Sequence, residues 1–300
     1  MITKLVQIND AVKAKDRKML VAAYANDAHT IEAAGIAVDA GIINATLVGD
    51  VEIIKKVCAA ENIDASKYTL VHESDETKAA ALAVSLINQG KGDILMKGLC
   101  STDKYMRAIL NKENGLMQGK AVLSHVSVFE IPAYDKLLIT GDVAVIPEPD
   151  LNQKIAITNY CINVAHILGI EKPKVALVAA TEQMMPGMQA CVDAAIIAKM
   201  SDRNQIKNAV VDGPFGLDAA IDKESVAIKK VTGEVAGDAD CLVWPNIETG
   251  NAFYKTSTKF ANAELAAVVV GAKVPCVLSS RGDSAQTKAY SIALAALMAQ

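Results

Sequence analysis

The chain has 300 residues, of which 52% are hydrophobic, 21% charged and only 4% aromatic. That length suits one large or two medium domains with ample core material, and the bias toward Ala, Val and Ile suits helices packed on a sheet better than an all-β sandwich. A formal net charge of -4 leaves no strong basic field for nucleic acid.

The opening stretch "MITKLVQINDAVKAKDRK" lacks the continuous apolar core of a signal peptide. Next, "DAHTIEAAGIAVDAG" reads as a helix running from Asp27 as cap to Gly41 as stop. "NATLVGD" reads as a strand ending at Asp50, which caps the helix "VEIIKKVCAAEN". "YTLVHE" is a further strand. "DETKAAALAVSLINQG" is a helix whose acidic first turn suits the helix dipole. The strands "DILMKG", "AVLSHVSVF" and "KLLITGDVAVI" follow. "EIPAYDK" around Pro132 and "IPEPDLNQ" with Pro147 and Pro149 interrupt the pattern there. "LNQKIAITNYCINVAHILG" carries Ile157, Cys161, Val164 and Leu168 at helical spacing, and Gly169 stops it. "KVALVAA", "NAVVDGP", "DCLVWP" and "PCVLSS" are strands, the last followed at once by a final helix.

Several of these strands are near-continuous apolar runs, the pattern of strands buried on both faces. The repeated strand-helix order predicts an α/β fold with a largely parallel sheet. The proline breaks place a domain change, giving a first α/β domain over 1–130 plus 275–300 and a second, inserted one over 131–274. The longest apolar runs, such as "LAAVVVGA", fall well short of a membrane span, and the expected location is cytoplasmic. Six cysteines lie far apart with no C-x-x-C, and the four histidines do not fall near them. No metal site is expected, and the thiols are expected to pack as small hydrophobes in a reducing compartment.

In open α/β sheets ligands bind where the strands end, often beside helix N-termini. After "DILMK" comes "GLCSTDKYMRAIL". Gly98 permits close backbone approach, Ser101, Thr102 and Asp103 are all N-cap types, Lys97 ends the strand and Arg107 lies about one turn beyond Asp103. Such a segment suits a phosphate cradle of N–H groups, hydroxyls and a cation; taken alone, an ordinary capped connection is the commoner reading. "SSRGDSAQTK" has the same design. Ser279 and Ser280 end a strand, Arg281 offers a planar fork for phosphate or carboxylate, and Asp283 or Ser284 caps a helix. Asp283 is either a cap or a base. In "VAGDADCLVWPNIETGNAFYK", Gly250 and Asn251 allow an unusual turn and Lys255 follows on a helix. "DGPFGLDAAI" offers Asp212 and Asp218, either of which could be a cap. No G-x-G-x-x-G follows a strand, and neither a Walker-type nor a G-x-S-x-G motif is present.

Five ordered stretches, "DILMKGLCSTDKYMRAIL", "LLITGDVAVIPEPDLNQKIAI", "DGPFGLDAAI", "VAGDADCLVWPNIETGNAFYK" and "CVLSSRGDSAQTKAYSIALA", resemble the phosphate acetyltransferase and phosphate butyryltransferase family over nearly the whole chain. The length, "LMKGL" and "SRGDS" look like the butyryltransferase branch. The resemblance implies two α/β/α three-layer domains, isocitrate/isopropylmalate dehydrogenase-like, with largely parallel sheets and an active-site cleft between domains, in a homodimer or higher homo-oligomer. It implies reversible transfer of a butyryl or other short acyl group between CoA and inorganic phosphate, with acyl-CoA and phosphate as substrates and no tightly bound cofactor.

The family's phosphate-region arginine matches Arg107, with Lys97, Ser101 and Thr102 around it. Its Ser-Arg pair matches Ser280 and Arg281. Gly250, Asn251 and Lys255 are implied on the substrate side. The acetyltransferases' proposed base, an aspartate, matches Thr287, which leaves Asp283 as the nearest carboxylate. A cysteine that the acetyltransferases often carry is Val143 here, so no thiol is implied in catalysis. Other readings are a phosphate acetyltransferase, a dehydrogenase on a related fold, and a non-catalytic sensor binding acyl-CoA or acyl phosphate.

Overall fold

The computed structural model describes residues 1–278 and 284–299. Contacts divide the chain into two compact units. The first takes Val6–Leu123 and the chain from Leu265 onward; the second takes Met1–Leu5 and Ser124–Glu264.

The first unit begins with α1 (Val6–Lys13), β1 (Lys18–Ala23), α2 (Ala28–Asp39), β2 (Ile43–Gly49), α3 (Val51–Ala60) and β3 (Tyr68–His72). It goes on through α4 (Glu76–Asn88), β4 (Ile94–Lys97) and α5 (Thr102–Ile109). The second unit holds β5 (Ser124–Glu130), β6 (Leu138–Gly141), α6 (Leu151–Ile167), β7 (Lys174–Val178), α7 (Gln189–Asp202) and β8 (Val210–Phe215). It ends with α8 (Leu217–Ile221), α9 (Lys223–Lys229), β9 (Cys241–Val243) and α10 (Ile247–Phe260). The chain then returns to the first unit with β10 (Glu264–Val270), β11 (Cys276–Val277) and α11 (Ala285–Met298).

Strands of the first unit lie in the order β3-β2-β1-β4-β11-β10. All its pairings are parallel except β10 with β11. In the second unit the order is β5-β6-β9-β7-β8, parallel except for the β5–β6 hairpin. This is the expected α/β class with largely parallel sheets. The helices obey their caps. Asp27 accepts a hydrogen bond from the Thr30 N–H, and Asp50 accepts from those of Glu52 and Ile53. Asp150 and Gln153 form a reciprocal capping box at the start of α6. Gly41 and Gly169 take left-handed conformations, φ 74° and 87°, where a side chain would be strained. α4 buries Ala79, Ala83 and Ile87 on one stripe, while α11 is buried almost all round from Lys288 to Leu297.

"KLLITGDVAVI" does not stay a strand. β6 ends at Gly141 because the buried Asp142 carboxylate accepts hydrogen bonds from the Ala144 and Val145 N–H groups at 2.7 and 2.9 Å, which folds the backbone back on itself. Among the described residues no helix is long and apolar enough to cross a membrane.

Candidate active site

Each unit contains a point where the connections after two adjacent parallel strands leave in opposite directions, which opens a crevice at the strand ends. In the first unit it lies between β1, whose chain turns toward β2, and β4, whose chain enters α5. Here the backbone packs tightly. The Gly98 and Leu99 N–H groups donate to the carbonyls of Ala23 and Tyr24 at 2.9 and 2.8 Å. A Cβ on Gly98 would lie 2.5 Å from the Tyr24 carbonyl oxygen and 2.7 Å from that of Ala23, so only glycine fits.

Sequence-predicted residues gather on this connection. Ser101 is the N-cap of α5, its side chain accepting from the Lys104 N–H at 3.3 Å. Its own N–H donates to Glu76 at 2.6 Å, and Glu76 also pairs with the Lys104 ammonium. The cradle read from the sequence therefore already holds an anion, a carboxylate of the protein. Lys104 and then Ser101, through their hydrogen bonds, hold that carboxyl below its ordinary pKa. Thr102 is exposed in the first turn of α5. Lys97 is half-buried and its ammonium donates to the Gly98 carbonyl at 3.2 Å. Arg107 is exposed and pairs with Asp103 at 3.0 Å. The sequence offered no signal for Glu76, 25 residues away from its partner.

Beside β4, β11 ends at Val277, paired with Met96. Tyr105 of α5, fully buried, ties the two strand ends together by donating its hydroxyl to the Leu95 and Val277 carbonyls at 3.1 and 3.4 Å. Ser280, Arg281 and Asp283 lie outside the described residues. On the far side of that segment Ser284 caps α11, accepting from the Thr287 N–H at 3.1 Å. Thr287 is thus held at the cap by its backbone, and its hydroxyl accepts from that of Ser284 at 3.1 Å.

In the second unit, Gly250, Asn251 and Lys255 share α10. Gly250 is a packing residue: a Cβ there would come within 2.4 Å of the Asp142 carbonyl oxygen and 2.8 Å of the Trp244 ring. The Asn251 amide donates to the Val143 carbonyl at 3.1 Å. Both therefore fix the loop after β6. Inside that loop Asp142 also accepts from the Ser124 hydroxyl and the His125 N–H at 2.9 and 3.1 Å. Lys255 is exposed, its ammonium 4.7 Å from the Tyr254 ring centroid. Asp218 lies in the first turn of α8 and pairs with Lys229 at 2.8 Å, which lowers its pKa. Burial raises that of Asp212, on β8.

Another stripe of α10, Asn246, Thr249, Phe253 and Thr256, faces a cavity of about 570 Å³. It lies at the second unit's own crevice, where the chain from β7 leads toward β8 and the chain from β9 leads into α10. Val178, Met188, Leu217 and Trp244 complete its apolar wall. In the sequence Trp244 stands only at the end of the strand "DCLVWP"; the signal for the cavity is the i, i+3, i+7 spacing along α10.

All six cysteines are unbridged and buried. Burial raises the thiol pKa of Cys58, Cys100, Cys161 and Cys241 and pushes that of Cys276 to about 12, so these groups stay protonated and poorly nucleophilic.

Residues 73–296 match the family model described as "Phosphate acetyl/butaryl transferase". The chain is 46% identical over 299 residues to phosphate butyryltransferase of Clostridium acetobutylicum, covering 100% of this chain and 99% of that one. It is 40% identical over 298 residues to phosphate acetyltransferase of Thermotoga maritima, covering 99% of each. Among solved structures, a branched-chain phosphotransacylase from Enterococcus faecalis superposes with a TM-score of 0.81 at 33% identity, over 94% of this chain and 99% of that one.

Proposed function

The chain belongs to the phosphate acetyl/butaryl transferase family and is an acyltransferase; from that premise we propose that it transfers a butyryl or similar short acyl group reversibly between CoA and inorganic phosphate. The observation that carries this reading is similarity to a phosphate butyryltransferase along the full length of the chain. Acetyl is the alternative acyl group. CoA enters as a substrate.

In the proposed reaction a phosphate oxygen attacks the thioester carbonyl. The new C–O bond forms, the C–S bond breaks, and the proton of hydrogen phosphate ends on the departing CoA sulfur. Acyl phosphate and CoA thiol result. Two anions must be held together, and the tetrahedral oxyanion needs positioned donors. Arg281 neutralises the phosphate or the oxyanion, and Ser280 donates beside it. Arg107, with Lys97, Ser101 and Thr102 around it, holds the phosphate's other side. Arg107 and Ser101 are at present paired with Asp103 and Glu76, so phosphate would exchange one anion for another. Asp283 takes the thiol proton in the reverse direction. Lys255 meets a CoA phosphate, while Gly250 and Asn251 keep the loop after β6 in place. Two α/β domains, one over 1–130 plus 275–300 and one inserted over 131–274, assembly as a homodimer or higher homo-oligomer, and a cytoplasmic location belong to the same proposal.

The test is thiol release from butyryl-CoA with and without phosphate. Phosphate-dependent release is expected, and Arg281→Lys should lower kcat/KM for phosphate by about 100-fold or more, since the bidentate fork is lost. Normal turnover of Arg281→Lys and Arg281→Ala would remove that residue's role. No release from any short acyl-CoA, in folded protein that binds CoA, would make the protein a sensor.

A further inference from the structure

The cavity at the ends of β7 and β9 is not used by any step above. Its volume, about 570 Å³, falls in the range of small-molecule sites, and it occupies the crevice where α/β sheets bind ligands. Its wall is aliphatic and aromatic, and small residues, Ala179, Ala180, Ala190 and Ala252, leave the room. Polar side chains come to the lining only from Asn246, Thr249 and Thr256. The Asn246 side chain accepts from both the N–H and the hydroxyl of Thr249, at 3.0 and 2.6 Å. A heterocycle would find few partners here; a flexible hydrocarbon chain needs none. Methionines reinforce this. Met188 lines the cavity, and Met184 and Met185, in the loop between two lining stretches, are 65% and 42% exposed. Unbranched thioether side chains adapt to chains of different length and branching.

We propose that this cavity receives the aliphatic chain of the acyl-CoA and sets the chain-length range, with room beyond four carbons. The proposal rests on the acyl-transfer reading for the identity of its ligand. Burying each further methylene should raise kcat/KM about four-fold until the cavity fills.

Trp244 is the chain's single tryptophan, and it forms part of the wall, so its fluorescence reports occupancy directly. Titration with butyryl-CoA or hexanoyl-CoA should change the emission, and CoA alone should not. Ala252→Leu, on an exposed position of α10, should fold normally and fill the cavity. It should cut kcat/KM for hexanoyl-CoA about ten-fold or more and leave acetyl-CoA unchanged. Equal emission changes with CoA and acyl-CoA, or an equal loss for every chain length in the variant, would overturn the proposal. So would emission that follows protein concentration rather than acyl-CoA, because a second copy would then cover the cavity. If no acyl-CoA supports phosphate-dependent release, the acyl-transfer reading alone falls. Titration with hexanoate then decides the cavity: saturable quenching weakened by Ala252→Leu supports an aliphatic site, and none removes it.

Discussion

The crevice between β1 and β4 is closed by backbone and rimmed with ion pairs, whereas the one between β7 and β9 is open and apolar. At the first, Gly98 sits against two carbonyls, and Glu76 and Asp103 hold cations at or near the surface. At the second, Trp244 and Phe253 stack at 4.8 Å with their rings tilted by 38°, and Trp244 also borders a separate small void lined by a buried ion pair. Lys154 and Asp193 are 8% and 3% exposed and 2.7 Å apart, and Gln189 donates to the remaining Asp193 oxygen at 2.8 Å. The same fold rule thus yields two sites of opposite chemistry. One is rimmed by cations already paired with the protein's own carboxylates, the other is walled by apolar side chains.

The largest expected effect comes from the apolar side. Lys154→Met keeps the length of the side chain but leaves Asp193 charged and buried with Gln189 alone, and should cost about 3–5 kcal/mol of stability in urea unfolding. Lys154→Met with Asp193→Leu should recover most of it. If the single variant were as stable as the parent, the buried pair would not be what ties α6 to α7. On the polar side, Gly98→Ala should cost about 1–3 kcal/mol, because the new Cβ meets backbone, which cannot swing away as a side chain would. A loss of less than about 0.5 kcal/mol would mean that the β1–β4 crevice is softer than its hydrogen bonds suggest.

How much of this was legible in the sequence differs by element. Asp50 and Asp27 announced their helices because a cap is a local device, complete within four residues. The connection at Gly98 and Ser101 was legible for the same reason. β1 (KMLVAA) and β10 (ELAAVVV) are not legible as strands, since buried strands show no alternation and their alanines favour helix over sheet. The end of β6 was missed because it depends on where the Asp142 carboxylate finds its donors, two of them in the neighbouring strand. The occupation of the α5 N-terminus by Glu76 is a product of long-range packing, with no spacing in the sequence to announce it, whereas the cavity at Trp244 is marked only by the i, i+3, i+7 spacing along α10.

The smallest effect sharpens the comparison most, because it asks whether the polar crevice can exchange its anion. In Glu76→Gln the carboxylate leaves the Ser101 N–H and the Lys104 ammonium. Both then face an incoming phosphate, and KM for phosphate should fall a few-fold with kcat unchanged. The pH dependence of stability shows whether the pair exists at all. Hydrogen bonds from Lys104 and then Ser101 depress the Glu76 pKa, so its contribution is complete above the ordinary value of about 4.3 and is lost as pH falls through the depressed one. The hydrogen bond to Glu76 raises the Lys104 pKa, so that contribution is complete below about 10.4 and is lost as pH rises through the raised value. The stability difference between the parent and Glu76→Gln should therefore be small and level from about pH 5 to pH 10 and shrink outside that range. Urea midpoints across pH measure it. A level difference with no gain in phosphate affinity would mean that the pair forms but guards no anion site, and the proposed phosphate role of the α5 N-terminus would fall while the pair itself stood.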